Sequence, residues 1–546
     1  MKSLRKDQTL NQIERWKLER HPLDVREAVL ERYATEGPDA IGEVPGELER
    51  LKWVGLYPQR QGGDAFMMRI KIPGGQLRAE QASVIGEVAE EFARGPAPNP
   101  VFGQGFLDLT TRQDIQLHWL RIGSVPEIWR RLEAVGITTV QACGDSARNV
   151  LCCPVAGLDA DEVVDAFPVA QAISDYFTGN REYANLPRKF KMSVSGCRED
   201  CAKAEINDIG LQPARLADGT LGFNVLVGGG LSDGPRIASD IDVFVRADQA
   251  VELTRAVAQL FGELGDRENR WTSRMRYLVQ ELGPEGFREE LERRAAFPLT
   301  PAGEALTRRY RGDHVGVHRQ RQPGRNYVGL SVTVGRMPGS DLVETARLAT
   351  VYGSGELRLA TDQNLVVVGV PDDRLDDLLA EPLLARHSPS PGPFERGAVA
   401  CTGSEFCRFA IVETKARAAN LARWLDRHVD LGGEEIVRMH FSGCSASCAQ
   451  PQIADIGFRG EIAHRGDEVV EAVDIGLGGS LGTDAAFIDW VEGAAPLEGM
   501  PETLARLLAR YRTERGDDER FHQWCRRMGN DELRTTVRDG IPQEAG

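Results

Sequence analysis

Along residues 66 to 75, FMMRIKIPGG, apolar and charged positions alternate: Met68, Ile70 and Ile72 share one face, Arg69 and Lys71 the other. A period of two belongs to a strand with one buried face, so the pattern predicts a strand whose two cations point the same way. A helix from Ala79 to Ala93 follows, then the Pro-rich connection APNPVFG, a second strand in LDLTTRQDIQLHWL and a helix over roughly Val125 to Ala134. Strand, helix and strand at this spacing predict a compact α+β half-domain. Residues 1 to about 50 read as charged helices with a turn at Gly37 and Pro38, an arm rather than a core element. Downstream lie QACGDSARNVLCCP, a helical stretch near Val163 to Phe177, and LPRKFKMSVSGCREDCAKAEINDIGL. The glycines of VGGGLSDG then allow a bulky ligand close to the backbone, charged helices fill 246 to 295, and Pro298 and Pro301 mark a boundary.

The same order recurs. GLYPQRQGG at 55 to 63 is echoed by GVHRQRQPG at 316 to 324, and LTTRQDIQ at 109 to 116 by LATDQNLV at 359 to 366. MSVSGCREDCAKAEINDIG at 192 to 210 returns as MHFSGCSASCAQPQIADIG at 439 to 457, and GGGL at 228 as GGSL at 478. Four echoes in one order, at offsets near 250, predict an internal duplication. The expected plan is an arm (1–50), two smaller units (51–135 and 308–380), each followed by a larger one (136–297 and 390–546).

At 546 residues the chain needs several cores. Its net charge of -16 argues against general nucleic-acid binding, although Arg308 to Arg325 forms a local basic run. No segment reads as a signal peptide or bilayer span, so a cytoplasmic protein is expected, whose ten cysteines are more plausibly ligands or core than disulfides.

Four of those cysteines lie in two short segments crowded with small residues: Cys401 and Cys407 in ACTGSEFCRFA, Cys444 and Cys448 in FSGCSASCAQPQIADIG. Four soft thiolates suit an iron-sulfur cluster or zinc, and the five residues inside the first pair exceed the usual zinc spacing. The N-terminal copy keeps a partial set, Cys143, Cys197 and Cys201, with Cys152 and Cys153 nearby. It also carries cations within the duplicated motifs, Arg69, Arg148, Lys189 and Lys191, with the two lysines on one strand face. Together they point to an anion site.

From about residue 50 to 530 the sequence resembles the ferredoxin-dependent sulfite and nitrite reductases that carry siroheme and a [4Fe-4S] cluster. The CxxxxxC and CxxxC pair at Cys401, Cys407, Cys444 and Cys448 is the most specific piece. The resemblance implies two pseudo-symmetric halves, each a ferredoxin-like half-domain plus a larger α/β domain for siroheme and cluster. It makes these cysteines the cluster ligands, with Cys448 bridging to the siroheme iron, and Arg69, Arg148, Lys189 and Lys191 the substrate-binding cations. Arg112 and Gln116 match siroheme-contacting positions, with Gln363 and Asn364 as counterparts from the second half. Tyr57 and Cys143 match a pair joined by a thioether in some sulfite-reducing members. Ferredoxin is the implied one-electron donor, docking at a basic surface for which Arg308 to Arg325 is the candidate, and a monomer is expected. Lys191, where plant-type nitrite reductases have Asn, adds a charge suited to doubly charged sulfite, so sulfite reduction is the first reading and nitrite reduction the second. A redox protein of corrin biosynthesis and a non-enzymatic cluster or zinc protein are the remaining alternatives.

Overall fold

The computed structural model describes residues 9–308, 313–432, 435–465 and 468–540. Four sheets form two pairs of matching topology. In the first small sheet, Leu56–Pro58, Phe66–Ile70, Ile115–Leu120 and Phe106–Leu109 run side by side, and the outer strand, Arg336–Pro338, comes from the second half. Its counterpart orders Gly316–Arg319, Arg325–Leu330, Leu365–Pro371 and Glu356–Leu359, with Gln76–Arg78 lent by the first half. Each half thus completes the other's sheet. The helices Ala79–Phe92 and Gly339–Tyr352 meet where a Cβ on Gly86 would lie 2.5 Å from the Gly339 carbonyl oxygen, and one on Gly339 2.3 Å from that of Gly86. Only glycine permits that backbone approach.

The larger sheets also match. Ala147–Cys152, Phe190–Val194 and Ile209–Arg215 are parallel, and Leu221–Val227 and Ser239–Val245 continue antiparallel. Ala398–Ala400, Met439–Ser442, Ile456–Arg465, Glu468–Leu477 and Asp489–Pro496 repeat the arrangement. The fold is α+β and internally duplicated, as the repeated motifs predict.

Three local expectations change. Residues 107–120 do not form one strand: the chain turns between Phe106–Leu109 and Ile115–Leu120, with Gln113 at a φ of 54°. Gln113 donates to the carbonyls of Leu359 and Cys152, which fixes the turn between the halves. The helix near Val163 begins at Phe167, with Pro168 in its first turn. The N-terminal segment is not an outlying arm, since Val25, Val29, Tyr33 and Ile41 are buried in the core of the small sheets. Lys17 Nζ donates to the Leu186 carbonyl at 2.8 Å, and Arg267 pairs with Glu14 at 2.5 Å, fastening it to the first large domain. Its charged surface periodicity conceals these apolar anchors.

Candidate active site

Cys401 follows the strand Ala398–Ala400 and Cys444 the parallel neighbour Met439–Ser442, so strand pairing alone brings the two thiol segments to one sheet end. The Gly443 amide donates to Cys401 Sγ at 3.2 Å. Burial pushes the Cys401 thiol up to about 12 and the Cys444 thiol to about 11, and in both the nearby Cys448 sulfur acts in the same sense. Cys407 is raised by burial and again by Cys448. The four thiols therefore converge, with Cys448 the most exposed.

Cys448 also reaches across to the first half. Burial disfavours the charge on Arg69, which Cys143, Tyr57, Asp114 and Cys448 more than restore. Burial lowers Lys189 to about 7, with Arg274, Arg188 and Arg148 acting the same way and Cys448 opposing them. Lys191 is held well below the usual lysine range by burial and then by Lys189, Arg112 and Arg274. Arg148 donates from Nε to the Gly144 carbonyl at 2.8 Å and from Nη1 to that of Ala142 at 3.2 Å, with no carboxylate partner among the described residues. Arg69, Arg148, Lys189 and Lys191 thus share one cationic chamber, in which Arg69 and Lys189 come within reach of Cys448.

Several further residues belong to this site. Asp114 sits among Arg69, Arg112, Lys71 and Arg148, and burial raises it to about 6 against their pull. Asp208 receives Arg274 Nη2 at 3.0 Å and the Lys191 amide at 2.9 Å. Lys71 donates to Thr178 Oγ1 at 2.7 Å, and burial lowers it to about 8. Asp114 and Asp208 lie inside repeated motifs and were findable there; Arg274 lies outside every echo.

Arg112 donates to Asn207 Oδ1 at 3.0 Å and the Asn149 carbonyl at 2.6 Å, leaving its buried Nε unpartnered. Gln116, with its amide oriented to suit the hydrogen-bond network, accepts from Arg69 Nη2 at 2.5 Å and donates to Thr402 Oγ1 at 3.1 Å. It therefore positions Arg69 beside the residue next to Cys401. The expectation for Gln363 and Asn364 is corrected. Gln363 Nε2 donates to the carbonyls of Leu109 and Ala400 while its Oε1 accepts from the Ala400 amide, and Asn364 Oδ1 accepts from the Val332 amide. Both are buried backbone braces; the positions answering Arg112 and Gln116 in the repeat are Asp362 and Val366. Tyr57 and Cys143 are in contact, with Arg69 Nη1 3.1 Å from the Cys143 sulfur.

The basic run from Arg308 to Arg325 is a weaker docking surface than its composition suggests. Residues 309–312 lie outside the described residues; Arg319 is paired with Asp372 at 3.2 Å, Arg321 with Glu162 at 3.4 Å, and Arg325 donates to the Gly369 carbonyl.

The donor set fits the implied cofactors. Four convergent thiols suit a [4Fe-4S] cluster. Buried cations, with unpartnered Nε atoms on Arg112, Arg274 and Arg276, suit a macrocycle rich in carboxylates. A duplicated scaffold that sets such thiols against such cations defines a metal-dependent oxidoreductase of small anions.

Comparison with known proteins agrees. The family described as "Nitrite and sulphite reductase 4Fe-4S domain" matches residues 143–299 and 392–544. The "Nitrite/Sulfite reductase ferredoxin-like half domain" matches 57–97, 101–135 and 318–385. The chain belongs to this nitrite and sulfite reductase family, whose cofactors are siroheme and a [4Fe-4S] cluster. It is 44% identical to an assimilatory ferredoxin-dependent nitrite reductase of Haloferax mediterranei, over 95% of this chain and 92% of that one. It is 37% identical to a ferredoxin sulfite reductase of Mycolicibacterium paratuberculosis, over 96% of each. The NirA protein structure of Mycobacterium tuberculosis superposes with a TM-score of 0.89 at 35% identity, covering 96% of this chain and 97% of that one. No helix among the described residues is long and apolar enough to cross a membrane.

Proposed function

We propose that this enzyme reduces nitrite to ammonia, taking six electrons singly from ferredoxin. The observation that carries the choice of anion is the state of Lys191. Burial and three neighbouring cations, Lys189, Arg112 and Arg274, hold its amine well below the usual lysine range, which weakens the charge argument that favoured sulfite on sequence. The remaining fixed cations, Arg69 and Arg148, suit a monoanion, and the 44% identical relative bears the name of a nitrite reductase.

In this reading Cys401, Cys407, Cys444 and Cys448 would hold the cluster, Cys448 would also serve the siroheme, and Arg112 would be among the siroheme contacts. When bound, the cluster would relay electrons and the siroheme iron would supply the site of reduction. Arg69 and Arg148 hold the oxyanion and stabilise the charge that grows on its oxygens as N–O bonds break. Lys189, lowered to about 7, is poised to give up a proton near neutrality. Gln116 fixes the Arg69 guanidinium plane.

Sulfite is the second reading, favoured by the contact between Tyr57 and Cys143. A thioether between them would remove two hydrogens, which peptide mass spectrometry detects. Paired steady-state assays with reduced ferredoxin decide the anion: kcat/KM for nitrite should exceed that for sulfite by about 10-fold or more. The reverse order would return the enzyme to sulfite.

For the donor, the cluster loop offers exposed Arg408 and Phe409 beside exposed Arg60, whose Nη1 donates to the Ala410 carbonyl at 2.8 Å. An acidic ferredoxin docking there should lose affinity as salt rises. Salt-independent KM for ferredoxin would exclude this surface.

A further inference from the structure

Strand register shows what the first half keeps at the cluster position. Ala398, Val399 and Ala400 pair with Met439, His440 and Phe441, whereas Val150, Leu151 and Cys152 pair with Met192, Ser193 and Val194. Met192 and Met439 open the clearest repeat, so Cys153, Cys197 and Cys201 stand where Cys401, Cys444 and Cys448 stand. The spacing that leads to Cys407 leads here to Asp159. In its place a histidine arrives from beyond the first half, with His314 Nε2 3.1 Å from Cys201 Sγ and 3.8 Å from Cys153 Sγ.

The three sulfurs lie within 4.8 Å of one another, and Cys197 and Cys201 are 3.3 Å apart. The cysteines are 1% exposed and His314 6%. Ligands of one tetrahedral zinc ion are about 3.8 Å apart for two sulfurs and somewhat closer for sulfur and nitrogen. Cluster thiolates, each on a different iron, stand wider. His314 Nδ1 is 3.4 Å from the Tyr327 hydroxyl, which can accept a hydrogen bond from the ring N–H and leave the Nε2 lone pair facing the Cys201 and Cys153 sulfurs. His314 also lines a groove of about 1490 Å³, which gives an ion a way in.

We propose that Cys153, Cys197, Cys201 and His314 bind a single zinc ion as a closed Cys3His site, separate from the [4Fe-4S] cluster. Thiol protons are released to solvent as the ion binds, and no redox step is involved. Four protein ligands leave no open position, so the ion's role is structural. It ties the strand end at Cys153 and the Cys197 to Cys201 loop to the segment entering the second small sheet.

The test is metal analysis of the holoenzyme with its siroheme and cluster in place. One zinc per chain is expected beyond the iron, with zinc-edge X-ray absorption showing three sulfurs at about 2.3 Å and one nitrogen at about 2.0 Å. Cys197→Ser and His314→Ala should lower zinc content at least ~10-fold, with iron content and siroheme absorption retained. His314→Cys, which rebuilds a four-ligand set, should keep zinc and guards against misfolding as the cause of loss. The proposal is overturned by a zinc-free holoenzyme, by a Cys197 to Cys201 disulfide in peptide mapping, or by loss of cluster iron in Cys197→Ser.

Discussion

Cys448 and Cys201 end the same loop in the two halves, in opposite company. Thr111 Oγ1 donates to the Cys448 carbonyl at 3.0 Å, and Thr361 Oγ1 to the Cys201 carbonyl at 2.9 Å, so the backbones are held alike. Cys448 is exposed and faces Arg69 and Lys189, whereas Cys201 is buried against His314. Around Cys448, Arg69, Arg148 and Lys189 form no ion pair with a carboxylate among the described residues, and Asp114 alone sits among the arginines. On the opposite side, Arg438, which stands at the Lys191 position, is paired with Asp455 at 2.9 Å, and Asp362, at the Arg112 position, with Lys203 at 2.5 Å. Asp208, the counterpart of Asp455, pairs with Arg274 and takes the backbone amide of Lys191 rather than its side chain in an ion pair. Duplication supplied one scaffold twice. Ion pairing silenced one chamber, and its absence left the other with charge to spend on a ligand.

The largest effect should come from breaking the exposed member of the pair. Cys448→Ser is expected to lower nitrite turnover by at least ~10³-fold, about 4 kcal/mol of barrier, and to disturb cluster and siroheme spectra together. Normal spectra of both cofactors in this variant would contradict the bridge. Cys201→Ser should leave turnover within a few-fold of wild type.

Next in size is loss of a chamber cation. Lys189→Met should reduce kcat by ~10² to 10³-fold by removing both a charge and a proton donor. Lys189 is competent when protonated, and its pKa is lowered to about 7, so kcat/KM should fall as pH rises through that value. The carboxylates of bound siroheme act in the opposite sense and place the limb at or above it. Lys189→Arg, always charged, should flatten the limb while lowering kcat; an unchanged limb would assign it to another group.

A smaller change separates the anions. Lys191→Asn should cut sulfite turnover ~10-fold and nitrite turnover no more than about 2-fold, because the charge the buried amine carries counts for more with a doubly charged anion than with a monoanion. Equal losses would show that Lys191 does not discriminate.

The sequence carried the duplication through four echoes in one order, and the thiols and chamber cations through short local patterns, of which only Cys444 and Cys448 lie inside an echo. It could not carry the electrostatics. Lys191 reads as an ordinary surface lysine until its burial beside Lys189 is in place, and the Arg308 to Arg325 run reads as a free patch until Asp372 and Glu162 are found against it. Gln363 and Asn364 misled for a related reason. They read as counterparts of Arg112 and Gln116, whereas the repeat aligns Gln363 with Gln113 and gives it the same backbone-bracing task. His314 was invisible because its partners are more than a hundred residues away, and no local pattern records that distance.

The smallest expected effect tests whether the halves remain equal where chemistry does not intervene. A Cβ at Gly86 meets the Gly339 oxygen at 2.5 Å, and one at Gly339 meets the Gly86 oxygen at 2.3 Å. Neither glycine needs a positive φ, so only the close approach opposes substitution. Gly86→Ala and Gly339→Ala should each cost about 1–3 kcal/mol by forcing the helices apart, with Gly86 the milder because alanine favours a helix interior by about 0.5–1 kcal/mol. The measurement is the denaturation midpoint of each variant beside wild type, with both cofactors bound. Combined, the two should cost less than their sum, since the first substitution already opens the contact that the second would crowd. Additive costs would mean that the helices are held by separate contacts, and that the halves meet here as neighbours, not as copies sharing one axis.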